Sequence, residues 1–180
     1  MKTNKIFFVL LILSASIGFV YSLIMLTDVT LVDFFRDYLD ASIPAMIDKA
    51  QQTNQMVFSL NIVSMLSIVP LFAIGVFKKE LTLKRQIIYL SIGFILFVVM
   101  LVSLLQTNQL YQLVENTDTS WKSTYVSQED MGYTQPGNNY LLAGVFIYGA
   151  LTLITLAHTI TYSVKAIGST LKKKQEVKTL

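Results

Sequence analysis

Residues 87–105 read IIYLSIGFILFVVMLVSLL, nineteen residues without a charged side chain. A helix of about 20 apolar residues crosses the roughly 30 Å hydrocarbon core of a bilayer, where unpaired backbone groups are too costly for other open structures. Three further stretches are also uncharged and long enough: residues 6–26, 56–77 and 140–164. The sequence therefore predicts an all-α integral membrane protein, a bundle of four transmembrane helices in a single membrane domain over residues 1–180.

Composition supports the membrane class. Of the 180 residues, 53% are hydrophobic and 14% are charged, with a mean hydropathy of +0.57. A soluble domain carries about a quarter charged residues, so this composition excludes a disordered chain and argues against a soluble one. The formal net charge of +3 is too small beside this apolar excess to indicate nucleic-acid binding. The chain has no cysteine, which excludes disulfides and thiolate metal sites.

The distribution of charge predicts the orientation of the four spans. The N-terminus, the loop 78–86 and the tail 165–180 together carry 11 basic and 2 acidic residues, whereas the loops 27–55 and 106–139 carry 3 basic and 9 acidic residues. Cytoplasmic flanks keep Lys and Arg, so both termini are predicted to be cytoplasmic and the two long loops to be outer loops. Because the first apolar run continues for ten residues past Ser16, we interpret it as an uncleaved span. The outer loops contain no N-x-[ST] acceptor, and we predict a bacterial plasma membrane.

Small residues predict where the first span packs. Ser14, Gly18 and Ser22 follow one another at four-residue spacing and share one helix face, on which another backbone can approach closely. This face packs either against the chain's own helices or against a second copy or a partner.

Polar residues mark one face of the second span. Asn61, Ser64 and Ser67 lie at intervals of three, and Pro70 follows. A buried amide in hydrocarbon must find hydrogen-bond partners, so this face is predicted to point into the bundle. It serves either as interhelical packing or as the wall of a polar pathway.

His158 is the only histidine and lies in the fourth span, with Thr155 and Thr161 on roughly its own face. It is a candidate titratable residue for proton sensing or substrate binding. Alternatively, it is a neutral imidazole bonded to a threonine or a group that snorkels to the membrane interface. One histidine without cysteine or a nearby carboxylate predicts neither a haem nor a zinc site, and we expect no metal or cofactor.

The outer loops carry candidate contacts for a partner. Residues 31–41 predict a short amphipathic helix, started by Thr30 and stopped by Pro44. This helix either packs on the chain's own fold, docks a partner or anchors at the membrane interface. The second loop offers aromatic residues among polar ones. The candidate contact residues are Phe34, Phe35, Tyr38, Trp121, Tyr125 and Tyr133.

The tail that follows the fourth span is basic. Lys172, Lys173 and Lys174 form a basic run that is predicted to contact anionic lipid.

The four predicted spans form two hairpins, each of two spans joined by an outer loop. The string SIGF occurs at residues 16–19 and 91–94, and AIG occurs at 73–75 and 166–168, in the same order in both hairpins. These strings indicate either a duplication or the common composition of membrane helices.

No motif of a phosphate-binding loop, a zinc protease or a serine hydrolase occurs, so we expect no enzyme. The sequence favours a non-catalytic interaction, accessory or immunity-type subunit that acts through its outer loops. The expected partners are the lipid bilayer and a membrane or extracellular protein or a second copy, and not a nucleic acid. The alternative is a small transporter or channel subunit with a polar pathway along the second span.

Overall fold

The computed structural model describes residues 2–33, 42–73, 83–115 and 138–178, and all of them are helical. Side chains are described over 6–26, 48–70, 83–113 and 141–171. The four helices are α1 (Lys2–Asp33), α2 (Ser42–Ala73), α3 (Leu83–Glu115) and α4 (Asn138–Lys178). The predicted all-helical class is confirmed for these residues.

Three of the helices are long and apolar enough to cross a membrane. The spans are Ile6–Leu26 in α1, Leu83–Leu113 in α3 and Leu141–Leu171 in α4. They correspond to the first, third and fourth predicted spans and confirm that the chain has the character of a membrane protein. The second predicted span, 56–77, continues past the end of α2 at Ala73 and so runs beyond the described residues; as a span it stays a prediction.

The helices extend further than the apolar stretches. α1 continues through Thr30 to Asp33, so Thr30 does not start a separate helix, and the rest of the predicted amphipathic helix lies outside the described residues. α2 already begins at Ser42, with Pro44 in its first turn, where the missing N–H of proline costs no hydrogen bond. The polar residues that end an apolar run lower its hydropathy but need not break a helix. Parts of both predicted outer loops are consequently helical.

Ring and hydrogen-bond contacts set the register between the helices. Along α1 and α2, Gly18 lies against Asn61, and the Asn54 side chain bonds to the Met25 carbonyl. α1 residue numbers thus rise as their α2 neighbours fall, and the two helices are antiparallel. Tyr89 stacks on Tyr162 and Gly93 lies against His158, so α3 and α4 are also antiparallel. They share the most extensive interface.

The buried core forms two clusters along the bundle. We call the end where α1 begins and α4 ends the terminal end, and the opposite end the distal end. The cluster nearer the distal end consists of Tyr21, Met25, Ala50, Val57, Val99, Met100, Leu110, Leu141, Tyr148 and Leu151. The cluster nearer the terminal end consists of Phe8, Leu11, Ala15, Ile68, Tyr89, Ile92, Leu96 and Tyr162.

The outer surface of the described helices is apolar. Large hydrophobic side chains such as Leu66, Phe146 and Leu153 are well exposed. An exposed apolar perimeter of this kind suits contact with hydrocarbon, whereas the polar side chains described next lie inside.

Candidate functional site

Asn61 is fully buried at the centre of the bundle and connects helices. Its Nδ2 atom donates to the Val57 carbonyl at 2.8 Å and to the Tyr148 hydroxyl at 3.1 Å, and it lies 3.5 Å from Ser103 Oγ. The Tyr148 hydroxyl in turn donates to the Gly18 carbonyl at 3.2 Å. We call Gly18, Asn61, Ser103 and Tyr148 the central polar cluster. It brings together one residue from each of the four helices.

Gly18 permits this arrangement because it has no side chain. A Cβ atom at this position would lie 2.5 Å from Asn61 Oδ1 and 3.1 Å from Met100 Cε. Any other residue at position 18 would therefore push Asn61 away from α1. The small residues of α1 predict a packing face here, and the Asn61 amide lies against that face at Gly18.

Several polar atoms near the cluster lack hydrogen-bond partners among the described residues. Three are Ser14 Oγ, Asn61 Oδ1 and Ser64 Oγ, and all are buried. Towards the distal end, Asn54 Oδ1 and Thr107 Oγ1 are also buried and have no hydrogen-bond partner among the described residues. A buried polar group without a partner costs about 1–3 kcal/mol, so these atoms call for an explanation.

His158 is also fully buried, but its surroundings are mainly aromatic. Its ring centroid lies 4.6 Å from that of Tyr162 and 5.6 Å from that of Phe7. Its Nε2 lies 3.5 Å from the Tyr89 carbonyl, and Nδ1 has no hydrogen-bond partner among the described residues. The imidazole edge occupies the space that a side chain on Gly93 would need. We call these five residues the histidine cluster.

Further ring contacts extend the histidine cluster. The rings of Tyr89 and Tyr162 stack with centroids 5.3 Å apart and an interplanar angle of 11°. Lys165 Nζ lies 4.9 Å from the Tyr162 centroid, within the range of a cation–π interaction. The nearest polar contact of His158 is thus a backbone carbonyl of α3 and not a threonine; the Thr155 hydroxyl bonds to carbonyls of its own helix.

The remaining predicted packing residues are also inside or at the edge of the bundle. Ser22 is buried, and its hydroxyl donates to the Phe19 carbonyl at 2.8 Å. Ser67 is half-buried and donates to the Ser64 carbonyl at 2.7 Å. These two serines are satisfied by their own helices, unlike Ser14 and Ser64.

The side chains predicted to contact lipid or a partner lie outside the described ones. Lys172, Lys173 and Lys174 belong to α4, but their side chains are outside the described residues. The aromatic candidates are wholly outside them: Phe34, Phe35, Tyr38, Trp121, Tyr125 and Tyr133.

The roles of three tyrosines were not predicted from the sequence. Tyr148 completes the central polar cluster, and Tyr89 and Tyr162 form the stacked pair. The sequence did contain a signal: a tyrosine in the middle of an apolar span needs a hydrogen-bond partner for its hydroxyl. The same applies to Gly93, which lies in the second SIGF string and whose missing side chain accommodates His158.

Within the described residues, no group of three His, Cys, Asp or Glu side chains is placed to bind a metal ion. Comparison of the chain with protein-family models, with curated proteins and with solved structures finds no match.

Proposed function

We propose that the chain is a non-catalytic multi-pass membrane protein of a bacterial plasma membrane and that it acts as an interaction, accessory or immunity-type subunit. In this proposal the bundle is a support that fixes the helix ends between which two outer segments run, and these segments contact the partner. Those segments, residues 34–41 and 116–137, include all six aromatic candidate contacts.

The hydrogen bond between Asn54 and Met25 is the observation that carries this proposal. Asn54 Nδ2 donates to the Met25 carbonyl at 2.9 Å, and both residues are buried near the distal end. A side-chain bond to a backbone carbonyl of the neighbouring helix fixes the α1–α2 pair beside the segment that joins them. Below it, the central polar cluster links α1 and α2 to α3 and α4. A binding protein with a preorganised framework loses less entropy when a partner binds.

The proposed orientation has its own test. Since the chain has no cysteine, single cysteines report accessibility without background. We expect an impermeant maleimide to label Ser127→Cys in intact spheroplasts and Thr179→Cys only after permeabilisation. Labelling of Thr179→Cys in sealed spheroplasts would contradict the cytoplasmic C-terminus.

Crosslinking tests the interaction itself. A photo-crosslinker at Tyr125, in cells, should capture one protein in stoichiometric yield, identified by mass spectrometry. Alanine at Phe34, Phe35 and Trp121 should abolish that capture. The matched control is Phe146→Ala, because Phe146 is an aromatic residue in the fourth span that is 70% exposed on the outer surface of the bundle. Equal capture by all variants would count against the proposal.

A second candidate function is a small transporter or channel subunit, and the unpartnered polar atoms on α2 favour it. Asn54 Oδ1, Asn61 Oδ1 and Ser64 Oγ lie on one helix over ten residues, about 15 Å of its length. Such atoms can line a polar pathway in the otherwise apolar interior. Among the described side chains of the three apolar spans, His158 is the single histidine and the charged residues are Lys84, Arg85 and Lys165. With so few ionisable groups, water and protons are the first solutes to test.

Reconstituted liposomes separate this second candidate from the first. Proton flux is followed with an entrapped pH-sensitive dye, and water flux by stopped-flow light scattering. A pathway along α2 predicts a flux that Asn61→Leu abolishes and Ser59→Ala leaves intact, since Ser59 is exposed and bonded to the Gln55 carbonyl. Liposomes with the unmodified protein that conduct neither species would argue against it.

A further inference from the structure

We propose that a water molecule occupies a buried site between α1 and α2, where it binds Ser14 Oγ, Asn61 Oδ1 and Ser64 Oγ. The site does not depend on the proposed function. It concerns three side chains that are buried and whose oxygen atoms have no hydrogen-bond partner among the described residues.

The register of α1 and α2 places the three residues within about one helical turn of each other along the bundle. Gly18 faces Asn61, and because the helices are antiparallel, one turn towards the terminal end leads to Ser14 on α1 and to Ser64 on α2. Ser14 shares its helix face with Gly18, and Ser64 shares its face with Asn61. In this register the two serines lie at about the same level of the bundle, one helical turn from Gly18 and Asn61.

The two serine hydroxyls forgo a bond that was available to them. In a helix a Ser or Thr hydroxyl can donate to the carbonyl three or four residues earlier, as Ser22, Ser67 and Thr159 do here. Ser14 and Ser64 make no such bond. Both hydroxyls are buried in an apolar bundle, where an unsatisfied group has no compensating solvent. A bound molecule between the helices removes that cost.

The three atoms match the hydrogen-bonding capacity of water. Asn61 Nδ2 donates to the Val57 carbonyl and to Tyr148, so the amide presents its oxygen, an acceptor, towards Gly18. A water donates one hydrogen to Asn61 Oδ1 and the other to one serine, and it accepts the hydroxyl hydrogen of the second serine. Buried waters typically make about three hydrogen bonds of this kind.

A cation fits the site less well than water. The stretches 6–26 and 56–77, which contribute all three oxygens, contain no charged residue. Three neutral oxygens would leave a buried cation without a counter-charge, and burial of an unpaired charge is far more costly than burial of a water.

Radiolytic hydroxyl-radical footprinting tests the site, because radiolysis of a bound water oxidises adjacent side chains. Met100 is the reporter. It is buried, and its sulfur lies 3.3 Å from the place where a Gly18 side chain would begin, beside Asn61 Oδ1. In the full chain in nanodiscs, Met100 should be oxidised despite its burial, and the rate should fall at least severalfold in the Ser14→Ala/Ser64→Ala variant. The Ser22→Ala/Ser67→Ala variant is the matched control and should keep the native rate.

Thermal unfolding gives a second, independent readout. The Tm should change in opposite directions according to whether the serine hydroxyls bind water or have no partner. Removal of a hydroxyl that binds water breaks a bond, so Ser14→Ala and Ser64→Ala should each lower the Tm. Removal of a hydroxyl with no partner relieves a cost and raises the Tm. A raised Tm in both variants, or a Met100 oxidation rate that the double substitution does not change, would overturn the proposal.

Discussion

The central polar cluster and the histidine cluster are built around the same four-residue string. Gly18 belongs to the first SIGF string and Gly93 to the second, and each leaves space for a polar side chain of another helix. Asn61 of α2 occupies the first space and His158 of α4 the second. In both places glycine allows a close approach between helices that any side chain would prevent.

The two clusters differ in what holds the polar side chain. Asn61 donates two short hydrogen bonds, and through Tyr148 it reaches the α1 backbone. His158 has one polar contact at 3.5 Å and is held mainly by aromatic rings. The first cluster therefore specifies the arrangement of the helices through directional bonds, and the second contributes mainly through packing.

The positions of Asn61 and His158 differ between the two hairpins. His158 follows Asn61 by 97 residues, whereas the second AIG string follows the first by 93. The difference is about one helical turn. If the hairpins arose by duplication, the polar side chain that faces the glycine has changed its position on the second helix of the hairpin by one turn.

The largest expected effect is that of Gly18→Val. The new side chain would overlap Asn61 Oδ1 and Met100 Cε, and separation of α1 from α2 would break the bonds of the central polar cluster. Overpacking of this kind costs about 3 kcal/mol of unfolding free energy. SDS titration in mixed micelles measures it. Gly149→Val is the control, because nothing lies within 4 Å of a Cβ at Gly149, and its effect should be close to that of a substitution on an exposed helix face.

Gly93→Val should have a smaller effect, of about 2 kcal/mol. The neighbouring atoms there belong to the edge of the His158 ring and to the Thr159 hydroxyl. A ring can turn about its side-chain torsions, and His158 loses only a long hydrogen bond when it does so. The same SDS titration compares the two glycines. A greater loss for Gly93→Val than for Gly18→Val would reverse the ranking of the two clusters.

The sequence alone predicts where the apolar helices lie but not which residues of different helices contact each other. Hydropathy located three helices that the structure confirms as long and apolar enough to cross a membrane. A run of about twenty uncharged apolar residues has few alternatives to a transmembrane helix. It placed the helix ends poorly, since polar residues such as Gln51 and Gln106 continue a helix as readily as they end an apolar run.

The candidate site shows the same division. Asn61 and Gly18 stood out because an amide and a small-residue face in an apolar span both call for a partner. That Asn61 bonds to Tyr148, 87 residues away, depends on the register between helices, which no local pattern encodes. The partner of His158 was missed for the same reason: the Tyr89 carbonyl is a backbone group, and nothing in the side-chain pattern distinguishes it from any other carbonyl.

Tyr148→Phe should lose about 1 kcal/mol of unfolding free energy, within the range of interhelical hydrogen bonds in membrane proteins. It removes both the bond accepted from Asn61 and the bond donated to the Gly18 carbonyl while it keeps the ring. A double-mutant cycle with Asn61→Leu isolates their shared bond. The losses should be non-additive by about 0.6 kcal/mol. Strict additivity would mean that the Asn61–Tyr148 bond contributes nothing to stability.

His158→Phe should have the smallest effect, a loss of unfolding free energy below that of Tyr148→Phe, because the substitution nearly conserves volume. Phenylalanine keeps a ring among Phe7 and Tyr162 and removes an Nδ1 atom that has no described partner. If His158 is held by packing, the variant unfolds nearly as the unmodified protein does, and His158→Ala, which empties the same space, loses more. A loss for His158→Phe as large as that for His158→Ala would show instead that the imidazole nitrogens hold the cluster. The two clusters would then share one principle of construction, polar bonds across a glycine.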